Sequence, residues 1–136
     1  MPISDLPVFQ ALKAKMQWHQ VRQGVLSQNV ANADTPGFAG KDLKEFKFST
    51  ELARTSTGLD TVTTNRGHLS GSLKRGEYSA KVEEMPSFET TPDGSTVVLE
   101  EQMMKVTQNL LDYQAATTLY SKGLGLIRTA LSSRGA

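Results

Sequence analysis

Ten residues in the last quarter of the chain, Leu99, Met103, Val106, Leu110, Tyr113, Thr117, Tyr120, Leu124, Ile127 and Leu131, follow one another at alternating steps of four and three without a slip. A period that regular predicts one helix of roughly 45–50 Å with a continuous seam along it. Glu100 and Glu101 at its start, with Lys122, Arg128 and Arg134 toward its end, suit the helix dipole. The opening stretch has the same rhythm in Phe9, Leu12, Met16, His19, Gln23, Leu26, Val30 and Ala33. Ser4 or Asp5 can cap it, and Pro7 is tolerated in a first turn.

The first helix is stopped by its own sequence. Small residues and Asn lead to Thr35, which the following proline pushes out of helical geometry, and a Pro36-Gly37 turn precedes Phe38. The chain leaves the first helix at Pro36 and enters the second near Thr96, so the expected fold class is mainly α: an antiparallel pair of long N- and C-terminal helices, with an irregular or small β middle segment. Residues 1–36 and 96–136 together make a coiled-coil domain, and residues 37–95 form the middle. The intrachain seam is expected to hold Phe9, Leu12, Met16, His19, Leu26 and Val30 against Leu99, Met103, Val106, Leu110, Tyr113, Tyr120, Leu124 and Ile127.

A two-helix hairpin needs only those seams, yet each helix carries a second one. On the first it runs Val8, Ala11, Lys15, Trp18, Arg22, Val25, Asn29, Asn32, and on the second Met104, Gln108, Leu111, Ala115, Thr118, Lys122, Gly125, Thr129. With Leu119 and Leu126 alongside, this is more apolar surface than one partner helix covers, and soluble monomers rarely leave large contiguous patches bare. Other chains are expected to cover it. The competing arrangement folds the middle back over these seams, but residues 37–95 make a poor lid: eight basic and nine acidic residues, several Gly and Thr, and short apolar runs. Residues 43–48, 58–64 and 76–82 are candidate strands, enough for one small hairpin.

Composition closes off other classes. With 38% hydrophobic residues and a formal charge of +1 spread evenly, nothing marks a disordered tail or a polyanion-binding surface. No cysteine occurs, so disulfide and thiol chemistry are excluded. No stretch approaches the ~20 apolar residues of a membrane span, and the start of the chain lacks the basic and apolar pattern of a cleaved secretory signal. Of the two histidines, His68 lies in the middle and His19 falls on the apolar seam, where it and Gln23 form a polar layer opposite Tyr113 or Thr117 that fixes register. Neither has metal-ligand company, so no catalytic residue, metal or cofactor is expected. Gly123-Leu124-Gly125 lies inside the helical pattern and is no phosphate loop. Nor do Trp18, Tyr113 and Tyr120 sit among clustered basic groups, as nucleic-acid binding would require.

The run Asn29-Val30-Ala31-Asn32-Ala33-Asp34-Thr35-Pro36-Gly37-Phe38 resembles the N-terminal signature of the bacterial flagellar axial family of rod, hook and hook-associated proteins. The Ala33-Asp34 variant followed by Lys41-Asp42-Leu43 is most similar to its proximal rod members. Further matches are Thr64-Asn65-Arg66-Gly67-His68-Leu69, Asp93-Gly94-Ser95-Thr96-Val97 with Leu99-Glu100-Glu101, and Asn109 with Tyr113-Gln114-Ala115. Phe38 replaces a commoner tyrosine, and Val98 stands where the family often has an acid.

The resemblance implies a non-enzymatic building block, exported by the flagellar type III apparatus without signal-peptide cleavage, that assembles in the periplasm as proximal rod. Its implied partners are copies of itself, other rod proteins of the FlgC, FlgF and FlgG type, FliE, the MS ring and the export gate. Terminal helices of the family form the inner coiled-coil layer of a hollow tube, which transmits torque. The expected subunit interface is Trp18, Val25, Asn29, Asn32, Pro36, Gly37, Phe38, Met104, Leu111 and Ala115. For Asn29 and Asn32, amide bonds between subunits compete with capping of their own helix. The rival reading is a cytoplasmic coiled-coil adaptor or export chaperone.

Overall fold

The computed structural model describes residues 6–56, 80–84 and 94–132. The expected strand at residues 58–64, most of that at 76–82, the motif beginning at Thr64, His68 and the N-terminal cap candidates Ser4 and Asp5 lie outside them. Helix α1 spans Pro7–Ala31, strand β1 Lys41–Leu43, helix α2 Phe48–Ser56, strand β2 Val82–Glu84 and helix α3 Leu99–Ser132. The fold is mainly α, with the two long terminal helices antiparallel and a two-stranded sheet between them in sequence.

Leu6 is the N-cap of α1 and makes no side-chain cap bond; Pro7 opens the first turn, where a missing N–H costs nothing. The helix stops at Ala31, five residues before the proline. Asn32 N–H reaches back to the carbonyls of Gln28 and Asn29, and its side-chain Nδ2 donates to the Gln28 carbonyl at 2.8 Å. Asn32 thus closes its own helix end. The chain then reverses through Thr35-Pro36-Gly37-Phe38, where Phe38 N donates to the Thr35 carbonyl at 3.2 Å and Gly37 takes φ +71°. Proline followed by a left-handed glycine is the signature of a type II turn.

The exit of α1 and the entry to α3 are stitched together. Thr96 N donates to the Phe38 carbonyl at 3.1 Å, Gly40 N to Thr96 Oγ1 at 3.1 Å, and Ser95 Oγ to the Ala33 carbonyl at 2.9 Å. Gly94, at φ +79°, lies flat on the Gly37 backbone: a Cβ there would sit 3.6 Å from Gly37 N. Because entry and exit are bonded to each other, the hairpin is closed at this end by backbone and hydroxyl hydrogen bonds beside the buried Val97.

Strands β1 and β2 pair antiparallel, Lys41 opposite Glu84 and Leu43 opposite Val82. The expected strand at 43–48 is displaced: β1 ends at Leu43, with one further backbone bond from Lys44 N to the Lys81 carbonyl at 2.9 Å, and Phe48 opens α2 instead. This short helix has Glu51 in its first turn and Arg54 in its last, bridged at 3.6 Å, and packs on α1 together with β1. The buried apolar set is Phe9, Ala11, Leu12, Ala14, Trp18 and Leu26 from α1, Leu43 from β1, Val97 from the entry loop and Ala116 from α3.

The seam between the long helices is rotated from the expected one. On α3 the fully buried residues are Gln102, Asn109 and Ala116, seven apart, flanked by half-buried Val106, Tyr113, Tyr120, Gly123, Leu124 and Ile127. Leu99, Met103 and Leu110, expected inside, are 44%, 61% and 51% exposed, and Val30 on α1 is 37% exposed. Two features set the rotation. Gln102 and Asn109 find amide and carbonyl partners on α1, and Gly123 admits the Phe9 ring, which a Cβ would approach to 3.0 Å. On the α1 side Phe9, Leu12, His19 and Leu26 are buried and Met16 half-buried, as the heptad reading requires.

Candidate assembly surface

Two long faces were expected to be open, and the structure closes one of them. On α1, the second seam lies under β1 and α2. Trp18 is buried and donates its indole N–H to the Lys44 carbonyl at 3.0 Å, beside Phe46 at 6.2 Å between ring centroids. Arg22 lies 5.1 Å over the Trp18 ring and holds Asp42 with two bonds of 2.8 Å, Nε to Oδ1 and Nη2 to Oδ2. A guanidinium matched to a carboxylate in this two-pronged way is strong and directional.

The electrostatics of this clasp are consistent on both sides. Burial by itself would raise the Asp42 carboxyl, but hydrogen bonds from Arg22 and from Leu43 N–H outweigh it and hold the group below its ordinary value. The hydrogen bonds that Arg22 donates to Asp42 raise the guanidinium, against a smaller opposing effect of burial.

Asn29 completes the attachment. Its Nδ2 donates to the Lys41 carbonyl at 2.6 Å and its Oδ1 accepts from Lys41 N at 3.0 Å, so one side chain pairs both backbone groups on the outer edge of β1. The same Nδ2 reaches Gln102 Oε1 at 3.0 Å, tying strand, α1 and α3 together. Trp18 and Asn29, expected between subunits, are therefore engaged within one chain. The sequence signal existed: Arg22 on the second seam and Asp42 in the strand carry opposite charge. Linear spacing gave no reason to pair them.

Midway along the hairpin a polar layer replaces apolar packing. Asn109 Nδ2 donates to the His19 carbonyl at 2.9 Å and to Gln23 Oε1 at 3.0 Å, and Asn109 Oδ1 lies 2.7 Å from His19 Nδ1. The layer contains His19 and Gln23 as expected, but their partner is Asn109; Tyr113 instead accepts from Gln20 at 3.2 Å, and the Thr117 hydroxyl lies 2.8 Å from the Tyr113 carbonyl of its own helix and 3.6 Å from Met16 Sδ on α1. Gln102 and Asn109 sit on a heptad line that carries no large apolar residue, which is why an apolar period misses it.

The outer face of α3 is bare among the described residues. Met103, Met104, Leu110, Leu111, Leu119 and Leu126 are 51–73% exposed, and Ala115, Thr118, Lys122, Gly125 and Thr129 are exposed with them. Its first half is an open groove with a floor of Met103, Met104 and Leu111 and a rim including Glu100, Glu101 and Gln108. Of the other expected interface residues, Pro36 and Gly37 are exposed at the turn, and Val25, Asn32 and Phe38 are half-buried. No group of three or more His, Cys, Asp or Glu among the described residues could hold a metal ion. No helix there is long and apolar enough to cross a membrane.

Comparison with known proteins gives this surface a setting. The profile of a family described as flagella basal body rod protein matches residues 16–38, the second half of α1 and its exit turn. The chain is similar to the flagellar basal body rod protein FlgB of Cereibacter sphaeroides, 32% identical over 82% of this chain and 84% of that protein. It is 35% identical to FlgB of Proteus mirabilis over 71% of this chain and 73% of that one, and 30% identical to FlgB of Escherichia coli K12 over 74% and 75%. With the profile falling on the helix exit and identity of this degree running along most of both chains, this protein belongs to the FlgB family of flagellar basal body rod proteins.

Proposed function

We propose that this structural component of the flagellar basal body rod polymerises through the outer face of α3, with its terminal helices forming the inner wall of the assembly. The observation that carries the reading is the apolar stripe from Met103 to Leu126, which no described residue covers. Burying one Leu-sized side chain contributes roughly 1.5–3 kcal/mol, so a few per contact hold subunits together without covalent links. The exposed turn at Pro36 and Gly37 and the half-buried Val25, Asn32 and Phe38 complete the contact, alongside Met104, Leu111 and Ala115. Trp18 and Asn29 act one step back, by holding β1 and α2 in place.

The partners in this reading are further copies of the chain, other rod proteins, FliE, the MS ring and the export gate. The subunit is non-enzymatic, transmits torque through the stack, and reaches the periplasm through the flagellar type III apparatus with its N-terminus intact. Residues 1–36 and 96–136 act together as the axial domain, and the middle segment decorates it. The test is Leu110→Asp and Leu111→Asp in swimming cells. Each is expected to leave the free chain folded while abolishing rod assembly and motility; normal swimming by both would refute the reading. A cytoplasmic adaptor, in contrast, would stay inside the cell, whereas the rod subunit is recovered from purified basal bodies.

A further inference from the structure

His19 is a buried titratable group that the assembly reading does not use. Its residue is 2% exposed, on the face of α1 that meets α3. Both amide protons of Asn109 are spent, one on the His19 carbonyl and one on Gln23, so its Oδ1 can only accept, and His19 Nδ1 must carry the proton between them. In the neutral ring that leaves Nε2 with a lone pair. Nε2 is buried and has no hydrogen-bond partner, the sole buried side-chain nitrogen or oxygen among the described residues of which that is true.

A proton added at Nε2 would place an N–H where nothing accepts it, and a charge where little water reaches. The neighbouring charges do not rescue it. From α1, Lys15 and Arg22 oppose a positive ring; from α3, Asp112 favours one. Asp42 on β1 is committed to Arg22, and on α2 Glu51 and Arg54 face each other. The Trp18 ring packs at 4.8 Å between centroids with the two planes at 78°, and its one polar atom, the indole N–H, is a donor already given to Lys44.

We propose that the His19–Asn109 layer is an acid-opened latch: the α1–α3 hairpin closes around a neutral His19 ring and loosens as the surroundings turn mildly acidic. Burial, the largest influence on the group, pushes the ring below its ordinary value near 6.5, against the hydrogen bond it donates to Asn109 Oδ1. The opened chain therefore binds the proton more readily than the closed one, so stability rises with pH through this window. It is complete above about 6.5 and falls away below, toward the lower value of the closed form. Loosening at mid-helix would also uncover Leu12 and Leu26, the buried residues one heptad before and after His19 on α1. This depends on the hairpin alone and stands or falls separately from the rod reading.

The experiment uses the full chain. Its two histidines, His19 and His68, are titrated by proton NMR, and thermal midpoints are measured by circular dichroism at pH 7.5 and 5.5 for the natural chain and for His19→Gln. The expected result is one histidine titrating clearly below 6.5, lost in the variant, and a midpoint drop of a few degrees at pH 5.5 that mostly vanishes in His19→Gln. Equal midpoint losses in both chains overturn the latch. So does a pair of histidines titrating together near 6.5, which is also what a chain without the closed hairpin would give. Should His19→Gln fail to fold, the titration of the natural chain decides alone.

Discussion

At the scale of single residues, the polar groups that hold this chain together work in pairs across the sequence. Arg22 and Asp42 are partly shielded, each side chain below one fifth exposed, and joined by two short bonds. Replacing Arg22 by Ala removes both bonds and the stacking on Trp18, and should cost about 1.5–3 kcal/mol in urea denaturation. Arg22→Lys should recover less than half of that, because an ammonium cannot match both carboxylate oxygens. The pair also sets an acid limit. Asp42 is held below its ordinary value of 3.8, so its contribution is complete above that pH and is lost as pH falls through the lower value of the folded state. Asp42→Asn should lower stability at pH 7 and flatten its fall below about pH 4, measured by urea midpoints across pH.

At the scale of the helices, the two glycines of Gly123-Leu124-Gly125 have opposite roles. A Cβ at position 123 would meet the Phe9 ring at 3.0 and 3.2 Å, and that ring is held edge-on by Tyr120 at 5.5 Å between centroids. Gly123→Ala should therefore destabilise the hairpin by about 1 kcal/mol, the crowding exceeding the gain in helix propensity. At position 125 a Cβ meets nothing within 4 Å, so Gly125→Ala should stabilise the free chain by about 0.5–1 kcal/mol. Thermal denaturation of both variants checks the sign. Asn109 is the other fixed point between the helices: Asn109→Ala leaves His19 Nδ1 without its partner in a buried layer and removes the bond to Gln23 Oε1, and about 2–3 kcal/mol should be lost.

For the whole molecule, stability and association are expected to be linked. The stripe on α3 lies exposed in the free chain, and its burial between copies would add to the folded side of the equilibrium alone. Raising protein concentration tenfold should therefore raise the thermal midpoint, and Leu111→Asp should remove that dependence while shifting the dilute-limit midpoint little, as surface substitutions generally stay within about 0.5 kcal/mol. A midpoint independent of concentration in the natural chain would mean that copies do not cover this face.

The amino-acid order by itself determined the two long helices, that the first must end before Pro36, and the turn that follows, since heptad spacing and a Pro-Gly pair act on their immediate neighbours; the stop at Ala31, five residues earlier, came with the Asn32 cap. It also specified surplus apolar surface. What it left open was rotation and cover. The seam on α3 turned to the line of Gln102, Asn109, Ala116 and Gly123 because amides there meet carbonyls, and a glycine there meets a phenyl ring, on the other helix. An apolar period scores those residues as surface, although Gln102, Asn109 and Ala116 are the buried positions of α3. The cover over α1 depended on Arg22 finding Asp42 and Asn29 finding Lys41 across a turn, and α2 was missed because its single helical stretch is too short for a period to register. Local geometry is written in sequence neighbours; which faces meet is settled by pairs of groups that become neighbours only once the chain has folded.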